Sequence, residues 1–227
     1  MKSIYRTCVF LLLAMGTAHA APEPSAPLYV ITYVDVLAGA ASRAALLLGE
    51  YRAASRNEPG ALGVDVLSQR GRPSGFAIAE IWHGSAAFET HGKAAAIEQL
   101  KRGLKPMQLA PLDVRVHTAY AVGSTLAVGE RAQTLLVHVD VLPSFVEDYA
   151  RILNRYVEGT RGESGLARLD ILQTLPPHTN HFTVVESWLD AAALQAHQKA
   201  TTAQTYRETL APMLGALYDE RAYQKMN

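Results

Sequence analysis

Cysteine is nearly missing from these 227 residues, Cys8 being the only one. It lies inside an N-terminal apolar run, so the sequence offers neither a disulfide framework nor a lipid anchor on a leading cysteine. Surplus charge is missing as well. With 21 basic against 21 acidic residues, the electrostatic footprint of a nucleic-acid binder is not there. No apolar stretch approaches the roughly 20 residues that a membrane helix needs, so neither nucleic acid nor membrane is an expected partner. A Gly-rich phosphate loop in a strand-to-helix setting is also absent, which argues against a nucleotide cofactor.

What is present begins with an export signal. Lys2 and Arg6 precede an apolar run at 9–15, and Ala18-His19-Ala20 supplies small residues at the cleavage positions. Residues 1–20 are therefore expected to be removed, leaving a soluble periplasmic or secreted protein that starts near Ala21. Residues 21–27 hold three prolines and suit a short extended spacer.

The rest of the chain is one unit of about 100 residues written twice. Val34-Asp35-Val36-Leu37 recurs 105 positions later as Val139-Asp140-Val141-Leu142. The same shift carries Tyr51, Arg56, Glu58, Gly60, Asp65 and Leu67 onto Tyr156, Arg161, Glu163, Gly165, Asp170 and Leu172. After the turn at 70–75 the shift becomes 106, as one extra residue in the Pro176-Pro177-His178 turn requires. It then carries Phe76, Glu80, Trp82, His91, Lys93 and Leu104 onto Phe182, Glu186, Trp188, His197, Lys199 and Leu210. Pro106-Met107, Asp113 and Arg115 follow onto Pro212-Met213, Asp219 and Arg221. A single insertion placed in a turn, with ordered matches on both sides, identifies a duplication.

Each copy reads as strand, helix, strand, strand, helix, strand. In the first, 28–36 is rich in β-branched and aromatic residues, and 40–56 puts Ala44, Ala45, Leu47, Leu48, Tyr51 and Ala54 on one broad helical face. Pro59 and Gly60 end that helix. A hairpin over 61–69 and 75–82, a second helix from 85 to 104 with a break at His91-Gly92, and a strand at 112–120 complete the unit. The second copy is expected to place strands at 134–141, 166–174, 181–188 and 217–223, with helices at 145–158 and 191–209. The organisation is thus a first repeat at 28–120, a linker at 121–133 and a second repeat at 134–227.

Glu58-Pro59-Gly60, Glu80-Ile81-Trp82, the stretch from Ala86 to His91 and Leu104-Lys105-Pro106-Met107, with their counterparts in copy two, resemble the antibiotic biosynthesis monooxygenase family of the dimeric α+β barrel superfamily. The resemblance covers nearly the whole mature chain. Members usually pair two chains, sheet against sheet, so the tandem copy implies a pseudo-dimer: α+β, with two ferredoxin-like βαββαβ repeats closing an intramolecular barrel. A four-stranded sheet with helices on one face must have its other face covered. Along 76–82, alternation sets Phe76, Ile78, Glu80 and Trp82 against Ala77, Ala79 and Ile81, and neither side looks solvent-facing.

The resemblance further implies oxygenation of a small phenolic or quinol-like aromatic with no cofactor, the substrate itself supplying electrons to dioxygen. Such chemistry needs a base, a water-poor aromatic pocket and donors for developing charge. His91 and His197 are the candidates for proton handling, against a reading in which they pack or cap helix two. The family often carries a further small hydroxyl residue and a second polar aromatic or histidine shortly after this position, where Ala94 and Ala96, or Ala200 and Thr202, stand here. Trp82 and Trp188 are candidates for an aromatic wall, or core filling. Glu80 and Glu186 could act as bases or bind a neighbouring Arg, and the ion pair is the favoured expectation. Asp35 and Asp140 could point into a cavity as substrate-binding groups or begin the turn into helix one, and the turn is the favoured reading. Arg56 and Arg161 are expected to offset a helix dipole, and Asp113/Arg115 and Asp219/Arg221 to make cross-strand pairs. His178 and His181 put two imidazoles in one turn, but a metal site would need further ligands, so none is expected. A binding module for a hydrophobic small molecule and a haem-binding barrel are the alternatives, the second because related barrels ligate iron through a histidine on helix two.

Overall fold

A computed structural model describes residues 26–123, 129 and 131–226. The expected signal peptide, most of the spacer and the middle of the linker lie outside the described residues.

The first repeat contains β1 (Leu28–Asp35), α1 (Ala41–Ser55), β2 (Ala61–Gln69), β3 (Gly75–Trp82), α2 (Gly84–His91), α3 (Ala95–Leu104) and β4 (Asp113–Ala121). The second contains β5 (Gln133–Asp140), α4 (Val146–Thr160), β6 (Leu166–Thr174), β7 (His181–Trp188), α5 (Ala191–Lys199), α6 (Thr201–Leu210) and β8 (Asp219–Lys225). The eight strands close a barrel in the order β1-β3-β2-β8-β5-β7-β6-β4. The two repeats meet where β4 pairs antiparallel with β6 and β8 with β2. Each repeat therefore covers the other's open sheet edges, and the chain forms the pseudo-dimer within itself.

Strand alternation divides the interior into three packed layers. Val30, Val34, Val64, Val66, Phe76, Ile78 and Trp82 face α1–α3, and their counterparts from Leu135 to Trp188 face α4–α6. Between the sheets, Tyr29, Ile31, Tyr33, Leu67, Ala77, Leu136, Leu172, Val185 and Tyr223 fill the barrel. Helix α1 buries Ala44, Leu48, Tyr51 and Ser55, a three-to-four-residue spacing that keeps one stripe against the sheet.

Two local features position the helices over the sheet. Gly60 and Gly165 hold positive φ of 83° and 84°, and a Cβ there would come within 2.6 and 2.5 Å of Ala87 and Ala193 on the facing helices. Glycine lets α2 and α5 approach this turn, which also carries Glu58 and Glu163. The second helical stretch divides at extended Ala94, as expected near His91-Gly92, and again at Ala200, where the sequence predicts a continuous helix over 191–209. The division follows tertiary placement, since alanine itself favours helix.

Candidate functional site

In each repeat, five polar or aromatic side chains from four segments meet between the sheet and its helices. In the first repeat they are Tyr51 of α1, Glu58 of the turn after it, Glu80 and Trp82 of β3, and His91 at the end of α2. The Tyr51 hydroxyl donates to Glu80 Oε1 and lies 2.9 Å from His91 Nε2, while His91 Nδ1 is 2.9 Å from Glu58 Oε2. Trp82 stacks on the imidazole with ring centroids 4.4 Å apart. The second repeat has the same pattern. Tyr156 donates to Glu186 and lies 3.1 Å from His197 Nε2, His197 Nδ1 is 2.9 Å from Glu163 Oε2, and Trp188 stacks at 4.5 Å. Trp188 Nε1 also donates to Glu186 Oε2 at 3.2 Å. Both histidines are 2% exposed, so these contacts replace solvent for buried polar groups.

Burial raises the pKa of Glu80, opposed by the Tyr51 hydrogen bond and by His91. Burial likewise raises that of Glu186, opposed by His197 and by Tyr156. It also holds Tyr51 and Tyr156 far above the ordinary phenol value, helped by the adjacent glutamates. The tyrosines therefore act as hydroxyls and not as phenolates. Each histidine bridges the Tyr hydroxyl at Nε2 and a second glutamate at Nδ1, and with the Tyr proton given to the buried glutamate the hydroxyl oxygen is left as the acceptor at Nε2. If the buried glutamate takes a proton it becomes the donor, and the Tyr hydroxyl can turn its own proton toward the ring nitrogen. The heavy atoms can stay where they are. Two protonation states on one scaffold are the physical requirement for accepting and giving back a proton.

The expected partner of Glu80 and Glu186 is corrected: it is a Tyr–His pair and not an arginine. Tyr51, Tyr156, Glu58 and Glu163 belong to the cluster without having been expected there, although all four repeat at the shift of 105 and so carry a readable signal. Asp35 and Asp140 do not join this cluster. They sit at the opposite strand ends from Trp82 and Trp188 and face the barrel interior, where Asp35 pairs with Arg72 at 3.1 Å and Asp140 contacts His138 and His181. Folding thus supplies the two histidines of the 178–181 turn with further ligand-type groups from β5. Arg56 does more than offset a dipole: it donates to Val64 O and pairs with Asp65 at 2.6 Å. Asp113/Arg115 and Asp219/Arg221 pair along their own strands at 2.7 Å and not across strands. Their guanidiniums clasp the Tyr33 ring from 4.9 and 5.0 Å.

The two clusters differ in access. Tyr156 lines a groove of about 290 Å³ between α4 and α6, together with Ile152, Gly159, Thr202, Thr205 and Tyr206. The corresponding α1–α3 cleft beside Tyr51 is about 40 Å³. There Leu47 packs on the helix backbone, its Cδ1 only 2.9 Å from where a Cβ on Gly103 would lie.

An eight-stranded antiparallel barrel made of two βαββαβ units, each with a buried His–Tyr–Glu cluster beneath its helices, defines a single-chain member of the dimeric α+β barrel class. The family model for antibiotic biosynthesis monooxygenase matches twice, over residues 27–102 and 133–209, and the chain belongs to that family. Among solved structures, a candidate monooxygenase from Fusobacterium nucleatum is 18% identical, with a TM-score of 0.79 over 89% of this chain and 94% of that one. A candidate monooxygenase from Lactobacillus acidophilus is 13% identical, with a TM-score of 0.71 over 88% and 94%. An anthrone oxidase-like protein is 10% identical, also with a TM-score of 0.71, over 88% and 92%. These likenesses are likenesses of fold. A comparison with curated protein sequences gives no match.

The cluster does not suit haem. Both ring nitrogens of His91 and of His197 are occupied by Tyr and Glu, a tryptophan covers one face of each ring, and neither histidine lines the groove.

Proposed function

We propose that this chain is an exported, cofactor-independent monooxygenase of small phenolic or quinol-like aromatics, and that turnover is confined to the second repeat. The observation that carries this reading is the groove against Tyr156, which joins an aromatic, threonine-rich surface to the buried Glu186–Tyr156–His197–Glu163 chain. A planar substrate lying on Tyr156 and Tyr206 would deliver its acidic proton at the Tyr156 hydroxyl. The chain would take it up and later release it. The electron-rich anion so formed reduces dioxygen directly, one oxygen atom entering the product as a carbonyl and the other leaving as water. Family membership supports this choice of chemistry.

Oxygen uptake by the tag-free mature protein should depend on an anthrone- or quinol-like substrate and should fall at least roughly tenfold in His197→Ala, the scale of a lost general acid–base group. The same change at His91 should leave it nearly untouched. Equal losses in both variants would overturn the confinement to one repeat. Saturable ligand binding with no oxygen consumption would replace the enzyme by a binding module for hydrophobic small molecules. Export is checked separately: the N-terminus of protein recovered from the periplasm or medium should be near Ala21.

A further inference from the structure

The barrel interior holds a second cluster that the oxygenation chemistry does not use. His138 and Asp140 are two apart on β5 and so share its inward face, and Asp140 pairs directly with His181 at the start of β7. Asp140 Oδ1 lies 2.8 Å from His138 Nε2 and 3.4 Å from His181 Nδ1. The three ligand-type atoms all lie within 4.8 Å of one another. His178, in the preceding turn, stands 5.3 Å from His181 between ring centroids and lines the same cavity of about 380 Å³.

The duplication shows that this grouping was assembled at three separate positions. In the first repeat Tyr33, Arg72 and Gly75 stand where the second has His138, His178 and His181. Asp35 is there neutralised by a permanent cation, Arg72, at 3.1 Å. In the second repeat its counterpart faces imidazoles instead. Neither imidazole is aligned to hydrogen-bond the carboxylate, since Asp140 Oδ1 is buried with no hydrogen-bond partner. Lone pairs that converge without a shared proton are what a cation requires.

We propose that His138, Asp140 and His181 bind a divalent first-row transition-metal ion, with His178 or an exogenous ligand completing the coordination. Two histidines and a carboxylate form a donor set suited to zinc or ferrous iron. With metal–ligand bonds of 2.0–2.2 Å, a tetrahedral site needs its ligand atoms roughly 3.3 Å apart. The observed contacts require closing by at most about 1.5 Å on that basis. Arg115 lines the cavity too, but Asp113 holds its guanidinium and Tyr33 lies under it. The residual positive charge and the unpartnered Nδ1 of His138 point to an affinity below that of a fully supported site. The cluster lies on the opposite face of the sheet from His197, so it is a separate site.

Zinc titration of the tag-free mature protein by calorimetry, with metal analysis after dialysis, should give one ion per chain with a Kd in the low micromolar range. Cobalt(II) should develop visible absorption on the same protein. His138→Ala, His181→Ala and Asp140→Asn should each weaken binding at least tenfold, whereas the His91→Ala/His197→Ala double variant should not change it. His178→Arg recreates the first repeat's ion pair and should abolish zinc binding without lowering the thermal midpoint, which separates loss of the site from loss of the fold. Zinc binding unaffected by these substitutions, or its absence in the wild-type protein, overturns the proposal. Stabilisation by phosphate without zinc binding would overturn it in favour of an anion site at Arg115.

Discussion

Both repeats keep Tyr, His, two Glu and Trp in the same buried contacts, but the residues packed around that chain diverge. Ala44, Leu100 and Leu112 in the first repeat become Tyr149, Tyr206 and Tyr218 in the second. The Tyr149 and Tyr206 hydroxyls then bond at 2.7 Å, and Tyr206 stacks on Tyr156 at 4.2 Å. The inter-helix space beside the catalytic-type tyrosine grows from about 40 to about 290 Å³. At the barrel mouth a carboxylate–arginine pair is replaced by a carboxylate among histidines. The shared polar chain therefore marks what each half needs for itself. The differences lie around that chain, with a wider cleft beside Tyr156 in the second half and a narrower one beside Tyr51 in the first.

The largest effects test the shared part. Trp82 and Trp188 are fully buried, and truncating either to alanine should cost about 3–5 kcal/mol in urea-induced unfolding, similarly in both halves. A much smaller cost in one half would show that the two layers are not equivalent. The barrel interior offers a pH test that belongs to only one half. His117 is buried, its Nε2 lies 3.0 Å from Thr183 Oγ1, and burial pulls its pKa down to about 4, with minor contributions from His138 and Arg115. Its counterpart is Tyr223. Because the unfolded chain takes up the proton first, this group stabilises the fold above pH 6.5, and that contribution is lost as pH falls from 6.5 to about 4. The loss should reach about 3 kcal/mol, at about 1.4 kcal/mol per pH unit. Glu80 and Glu186, with raised values, have the opposite sign: they disfavour the fold as pH rises through their folded pKa. Comparing wild type with His117→Asn at pH 7 and pH 4 separates the two, and the variant should lose distinctly less stability on acidification.

Next in size is the groove itself. Thr205→Phe should fill it and raise KM for an aromatic substrate at least tenfold, about 1.4 kcal/mol, while Gln99→Phe at the corresponding place in the first repeat should leave KM unchanged. If both variants behave alike, the open approach is not where substrate enters.

Much of this is legible in the sequence, because the duplication acts as an internal alignment. It locates the strands, the hairpins and the His, Glu and Trp of the cluster to within a residue or two. The partners of Glu80 are not legible, since Tyr51 looks like ordinary core on a helical stripe and Glu58 like turn chemistry. Tertiary packing of α1 and its following turn against α2 brings them to His91. The helix division at Ala200 carries no local signal, alanine being the strongest helix former. Nor can spacing show that β5 brings His138 and Asp140 to His181, because that juxtaposition depends on β5–β7 register.

The smallest effect bears most directly on how the second half acquired its groove. Tyr149 and Tyr206 are buried, and each hydroxyl has the other as its hydrogen-bond partner. Removing one leaves the other without that partner, whereas removing both restores the apolar condition of Ala44 and Leu100. Tyr149→Phe and Tyr206→Phe should therefore each cost about 1–2 kcal/mol, while the double variant should cost less than their sum, with a coupling of about 1 kcal/mol. If the pair serves only packing, the double variant should retain full turnover. If the hydroxyls hold Tyr206 against Tyr156 to shape the groove, turnover should fall in the double variant even where its stability is nearly restored. That divergence between stability and activity would not occur for Phe substitutions in a purely structural layer.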